Sequence, residues 1–225
     1  MPTNPIIAID GPAASGKTTV GKLLAQRLVY GFLDTGLMYR AITWIALESR
    51  VSIEDEGALI HLAQSTHIEM DDKYDATSSR VWVNNQPLEK ELRGARVDES
   101  VSLISKVPAI RRLMVEQQRR IAQPGRIVVV GRDIGTVVLP NAKLKVFLSA
   151  SPEERSRRRF KELKMKGEIR DFKKVLEETV ERDWIDTNRS ESPLKIATDA
   201  IEVNTDGLTV ENVVVKIQGL LGDIP

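Results

Sequence analysis

The chain contains no cysteine. That excludes a disulfide scaffold, a thiol nucleophile and any cysteine-ligated metal or iron–sulfur site, and it suits a reducing compartment. Histidine is nearly as scarce. His61 and His67 are the only two, and neither stands in metal-ligand spacing with another ligand, so both read as structural. No apolar run approaches the roughly 18 residues of a membrane span. Met1 to Asp10 carry no basic stretch and only a short apolar run, so they do not read as a secretion signal. A charge excess is missing too: 33 basic residues face 32 acidic ones, for a net +1. A general nucleic-acid binder is usually strongly basic, so a nucleic-acid polymer is not the expected partner. Local basic clusters can still hold a small polyanion. The expectation is a globular cytoplasmic protein with no membrane partner. At 225 residues it is one domain with insertions or two domains.

What is present alternates in period. Ile6 to Ile9 is apolar without polar alternation and reads as a strand buried on both faces. Residues 16–29 then place Val20, Leu23, Leu24 and Leu28 on one helical face, with Gly31 as the expected stop. Residues 37–47 repeat the helical spacing. Ile127 to Val130 and Leu144 to Leu148 are two more buried strands, and Val210 to Leu221 form a final amphipathic helix behind a Thr209 N-cap. Strands interleaved with helices predict an α/β fold with a doubly wound parallel sheet. Residues 66–91 break the rhythm. Ile68 and Met70 alternate, as do Val81 and Val83, and Asn84-Asn85 sits where a turn would go, which predicts a small antiparallel insertion. Two helices, about 94–106 and 109–122, follow on either side of Pro108.

Gly11-Pro12-Ala13-Ala14-Ser15-Gly16-Lys17-Thr18 fits G-x-x-x-x-G-K-[ST], with a buried strand before it and an amphipathic helix after it. A triphosphate needs many inward N–H donors, so the backbone must curl tightly. Gly11 and Gly16 permit that curl. The helix start adds its positive dipole end, Lys17 adds a point charge, and the Thr18 hydroxyl can ligate magnesium. A plain glycine turn explains the glycines but not Lys17 and Thr18. The chain lacks the N-K-x-D that specifies guanine in GTPases.

Other clusters stay ambiguous taken singly. Arg132 and Asp133 follow the 127–130 strand, at the strand end where ligands gather in open α/β sheets; a surface ion pair is the plainer alternative. Asp34 and Thr35 can simply cap the helix that carries Tyr39 and Arg40. Residues 155–161 hold five cations, Arg155, Arg157, Arg158, Arg159 and Lys161. They form either a solvated face balanced by Glu153, Glu154 and Glu162 or a polyanion site. Arg182, Asp186 and Arg189 recur at helical spacing.

Together these stretches resemble the bacterial-type cytidylate kinases, P-loop nucleoside monophosphate kinases. IAIDGPAASGKTT, LDTGLMYRA, VSLISKVPAIRR, VVVGRDIGTVVLPNAKLKVFLSASPEERSRRR and RDWIDTNRSESPLKIATDAIEVNTDGLTVENVV carry the resemblance over nearly the whole chain. GRDIGT, DTGLMYR and the D-x-x-D-x-x-R spacing before Pro193-Leu194 are its narrowest parts. The resemblance implies one P-loop kinase domain over 1–225. Its core is interrupted by a monophosphate-binding region at about 36–122, which includes the 66–91 insertion, and by a helical lid at about 156–170. It implies transfer of the ATP γ-phosphate to CMP or dCMP with Mg2+, by a monomer. Gly11, Pro12, Ala13, Ala14, Ser15, Gly16, Lys17, Thr18 and Thr19 fall on ATP, and Thr18 on the metal. Asp34, Thr35, Tyr39, Arg40 and Arg132 fall on the acceptor, with its phosphate at the last three. Ser102, Arg111 and Asp133 fall on the cytosine, and Asp186 on the sugar with Arg182 beside it. Lys17, Arg132, Arg158, Arg182 and Arg189 are the expected catalytic cations. Cytosine offers an N4 amino donor, which a carboxylate accepts, while uracil turns an O4 acceptor to the same place. That mismatch predicts roughly 10- to 100-fold preference for CMP over UMP. A kinase for another small acceptor and a nucleotide-dependent switch are the alternatives; a switch has no use for a second anion site.

Overall fold

The computed structural model describes residues 4–70 and 81–222. Five parallel strands form the main sheet: β1 (Ile6–Asp10), β2 (Gly31–Asp34), β6 (Ile127–Gly131), β7 (Leu144–Ser149) and β8 (Ile201–Asn204), in the order β2-β6-β1-β7-β8. Side chains alternate across a strand, and here both faces are apolar. Ile7, Ile9, Val128, Val130, Val146 and Leu148 face one layer, with Val20 and Leu24 of α1 (Lys17–Leu28) and Val213, Val214 and Ile217 of α8 (Val210–Gly222). Ala8, Leu33, Ile127 and Val129 face the other, under α2 (Thr35–Glu48), α3 (Glu56–Ser65), α4 (Ala95–Ser105) and α5 (Pro108–Ala122). Both faces are therefore covered, as the unbroken apolar strands required.

The antiparallel insertion is a separate three-stranded sheet of β3 (Ile68–Met70), β4 (Val81–Val83) and β5 (Gln86–Leu88). Asn84 and Asn85 both take positive φ, 49° and 66°, in the tight turn between β4 and β5. Residues 71–80 of the predicted insertion lie outside the described residues. Pro108 opens α5 at its first turn, where a missing N–H costs nothing, with Val107 extended before it. Thr209 caps α8, its hydroxyl accepting from the Asn212 N–H at 3.2 Å.

Gly31 does not end α1. Val29 takes the left-handed C-cap position, φ 54°, and Gly31 already belongs to β2. The stretch Gly31–Asp34 has only Phe32 and Leu33 as apolar residues, too few to announce an edge strand. The long helices α6 (Pro152–Met165) and α7 (Phe172–Asn188) pack against each other, with Phe160 and Phe172 edge to face at 5.8 Å. The expected lid, 156–170, spans most of α6 and the connection to α7. Among the described residues no helix is long and apolar enough to cross a membrane.

Candidate active site

The site lies at the carboxyl ends of β1 and β6, adjacent strands in the middle of the sheet. Chain connections leave this region in opposite directions, the usual position of a ligand crevice. Asp10 ends β1 and is buried. Its two carboxylate oxygens accept from the Ile134 and Gly135 N–H groups at 2.8 and 2.7 Å, tying β1 to the wide turn Ile134–Val138 after β6. Burial pushes its carboxyl up to about 6, against the two backbone donors.

The loop that follows is tight. Gly11 has φ 148°, and a Cβ there would stand 2.2 Å from the Leu148 carbonyl oxygen, so no other residue fits. Gly16 caps α1 in the left-handed region, φ 95°, without a side-chain cap. The first N–H groups of α1 are thus left to the loop interior. The Lys17 ammonium folds back over the loop and donates to the Pro12 carbonyl at 2.6 Å and to Ser15 Oγ at 3.3 Å. Burial, and then the Arg132 charge, holds its pKa well below the ordinary lysine value. Thr18 donates its hydroxyl to Asp34 Oδ2 at 2.8 Å, while Asp34 Oδ1 caps α2 through the Gly36 N–H. Asp34 therefore stands on the phosphate-loop side. Thr19 points outward, exposed, and the Thr35 hydroxyl is spent on the Val130 carbonyl at 2.9 Å.

Across from the loop, five elements bring together a second cluster. Arg111 of α5, only 2 % exposed, donates to Asp133 Oδ2 at 2.5 Å and to the Ser105 carbonyl at 3.1 Å, and lies over the Tyr39 ring. Asp133 Oδ1 faces Arg189 at 3.9 Å, beyond hydrogen-bond reach. Arg132 donates to Asp186 Oδ2 at 2.8 Å, and Arg189 approaches Asp186 Oδ1 at 3.7 Å. Burial works to raise the Asp186 carboxyl, yet Arg132 and Arg182 hold it below the usual range. Arg182 is pushed down to about 10, first by burial and then by Arg132. Arg132 thus acts on both Lys17 and Arg182 and stands between the two clusters. Ser102 is half-buried on α4, one turn before Ser105. The buried atoms Tyr39 Oη, Arg111 Nε, Arg182 Nε and Arg189 Nη2 all lack a hydrogen-bond partner. Such atoms are rare in a folded interior, and four around one site call for a ligand.

The arginine run on α6 divides. Arg155, Arg158 and Arg159 share a face as the spacing predicted, but Arg155 is neither on a solvated face nor open to a polyanion. It is buried, chelates Asp183 of α7 at 2.9 and 2.5 Å, and donates to the Ala150 and Ala13 carbonyls. It braces the phosphate loop against α6 and α7. Arg158 lies beside Gly16 and donates to Thr205 Oγ1 at 3.0 Å and the Thr205 carbonyl at 2.9 Å. Arg157 points to solvent. Arg40 donates to the Leu92 carbonyl at 2.9 Å and to Asp98 at 2.5 Å. Asp10, Asp98 and Thr205 went unnoticed in the sequence. Asp10 alone had a signal, its place directly before Gly11.

Residues 7–221 match the protein family described as Cytidylate kinase. Cytidylate kinases from Geobacillus sp. (strain WCH70) and Geobacillus thermodenitrificans are 46 % and 48 % identical to the chain, covering 99 % and 96 % of both partners. A bifunctional pantoate ligase/cytidylate kinase of Thermosynechococcus vestitus is 45 % identical over 95 % of the chain and 42 % of its own length. A shikimate kinase structure from Bacteroides thetaiotaomicron shares the fold, at TM-score 0.50 and 15 % identity over 97 % of this chain and 98 % of that one. With a phosphate loop facing a buried arginine cluster, and with relatives matched end to end, the chain belongs to the cytidylate kinase family of nucleoside monophosphate kinases.

Proposed function

We propose that the protein transfers the γ-phosphate of ATP to CMP or dCMP, giving ADP and CDP or dCDP. The observation that carries this reading is the gathering of cations beside the phosphate loop: buried Lys17, half-buried Arg132 paired with Asp186, half-buried Arg182, and the buried Arg111–Asp133 pair. One anion site would not need so many. Two phosphates meeting end to end would.

The loop N–H groups and Lys17 hold the ATP phosphates, the ammonium exchanging its Pro12 and Ser15 contacts for phosphate oxygens. Tyr39, Arg40 and Arg132 receive the acceptor phosphate. Asp133 Oδ1, which no described residue hydrogen-bonds, accepts from cytosine N4, while Arg111 and Ser102 donate to N3 and O2. Asp186 and Arg182 hold the sugar. An oxygen of the acceptor phosphate attacks the γ-phosphorus in line. The bond from that phosphorus to the bridging oxygen breaks, and ADP leaves with the electron pair. The attacking phosphate has a second pKa of about 6, so it needs no general base. Arg132, Arg158, Arg182 and Arg189 neutralise the spreading charge. The Thr18 hydroxyl and the Asp34 carboxylate beside it are hard oxygen donors of the kind Mg2+ takes, so these two residues would hold it. Bound there, Mg2+ would supply charge neutralisation to the reacting phosphates. Every group comes from one chain, so the reading requires only a monomer.

Titration calorimetry with CMP, without ATP, tests the second anion site. The expected result is a Kd below about 1 mM for CMP and binding at least about tenfold weaker for UMP. No CMP binding would leave a nucleotide switch as the better reading.

A further inference from the structure

Asp98 reaches beyond Arg40, because its carboxylate touches both α2 and α6. It sits on α4, with its side chain 15 % exposed. Oδ1 takes Arg40 of α2 at 2.5 Å, and Oδ2 takes Arg159 of α6 at 2.8 Å. Burial works to raise its carboxyl, but the two guanidinium groups hold it low. Arg182 senses the same carboxylate and Arg40 alongside it. Asp98 and Asp186 thus stand among Arg40, Arg132, Arg159 and Arg182. Arg159 has a second partner, Glu162, on its own helix. A long hydrogen bond at 3.4 Å, from Lys166 Nζ at the C-cap of α6 to the Arg93 carbonyl, also reaches this region.

We propose that Asp98 is a positioning residue that couples the acceptor-phosphate site to the seat of α6, one carboxylate holding Arg40 and Arg159 together. The inference rests on the kinase reading above. Arg40 Nη1 is fixed by Asp98 and the Leu92 carbonyl, which sets the plane of the guanidinium and leaves Nε and Nη2 without bonds to described residues. Loss of Asp98 removes one of these two anchors. It also frees Arg159 from α4, while Arg155 and Arg158 still hold α6 to Asp183 and Thr205. Transfer to the acceptor rather than to water requires both anion sites to be closed together. A carboxylate shared between them links the two closures without touching a substrate.

The test is steady-state ADP release by the full chain, with CMP and ATP each varied, in Asp98→Asn, Arg159→Gln and the double variant. The Asn amide keeps one acceptor but turns a donor toward one guanidinium. The expected result is a rise of about tenfold in KM for CMP with Asp98→Asn and a change within about twofold in KM for ATP. Arg159→Gln should act in the same direction. The double variant should be no worse than the worse single one, since both break one shared contact. Asp98→Glu keeps the charge and should recover most of the CMP affinity. An unchanged or lower KM for CMP in Asp98→Asn would overturn the proposal, as would equal rises for both substrates or additive single effects. A lowered melting temperature without the CMP-specific split would mark Asp98 as structural only. If the wild-type enzyme turns over no nucleoside monophosphate, the kinase reading falls and takes this proposal with it. Wild-type turnover beside an indifferent Asp98→Asn sinks this proposal alone.

Discussion

Replacing Asp133 by Asn tests the base-recognition role proposed for this carboxylate. Oδ2 of Asp133 is bound by Arg111, and Oδ1 is left open. Its backbone is pinned by its carbonyl, which accepts from Val137 and Val138 at 2.8 and 3.0 Å, so the side chain has little room to evade a mismatched base. Uracil in the site would set its O4 against the carboxylate and leave a buried acceptor unpaired. That costs about 1–3 kcal/mol, or roughly 10- to 100-fold in kcat/KM for CMP over UMP. An Asn amide can turn its NH2 toward O4, so the ratio in Asp133→Asn should fall by about tenfold or more. The substitution also breaks a buried ion pair and should cost about 3–5 kcal/mol of stability. That loss cancels from the ratio, because both substrates are assayed on the same folded fraction. The assay is coupled ADP release with each nucleotide. A CMP-to-UMP ratio that stays at the wild-type value would show that Asp133 does not read the base, whatever happens to total activity.

Arg155→Met removes the brace on Asp183 and the Ala13 carbonyl. It should destabilise the protein by about 3–5 kcal/mol and raise KM for ATP more than KM for CMP, read by thermal melting and initial rates. Asp10 gives a pH signature. Its folded pKa of about 6 lies above the ordinary 3.8, so between those values the folded state holds the extra proton. Stability should therefore fall as pH rises from 4 through 6, by about 3 kcal/mol in total from this group. Urea unfolding at pH 5 and pH 7.5 should show about half of that drop in the wild type, about 1.4 kcal/mol, and a flatter response in Asp10→Asn. Thr18→Ala removes the hydroxyl beside Asp34 and should raise the Mg2+ concentration for half-maximal turnover by about tenfold or more; EDTA should abolish turnover in both forms.

The sequence was most legible where local chemistry and structure coincide. Lys17 and Thr18 follow a strand–loop–helix pattern that depends on neighbours in the chain, and Asn84-Asn85 announces its own turn. The short elements escaped for want of periodicity. β2 offers two apolar residues, and β8 lies at the sheet edge with most of its residues exposed. Helix α3 buries only Leu59 and Ala63, so its pattern was faint. The arginines were visible as clusters, but their partners were not. Arg155 meets Asp183 across 28 residues, Arg40 meets Asp98 across 58, and Thr18 meets Asp34 across 16. No spacing rule reaches that far. Only the packing of α2, α4, α6 and α7 around the sheet decides which cation is a brace and which is left facing the cleft.

The most direct measurement is ADP release with ATP and Mg2+ against CMP, dCMP, UMP, AMP and GMP in turn. Turnover with CMP and dCMP, and rates at least about tenfold lower with the other three, is the result this account expects. Equal turnover of CMP and UMP would keep the phosphate-loop kinase and contradict the role given to Asp133, Arg111 and Ser102. ATP binding without turnover of any acceptor would show that the protein is not a nucleoside monophosphate kinase.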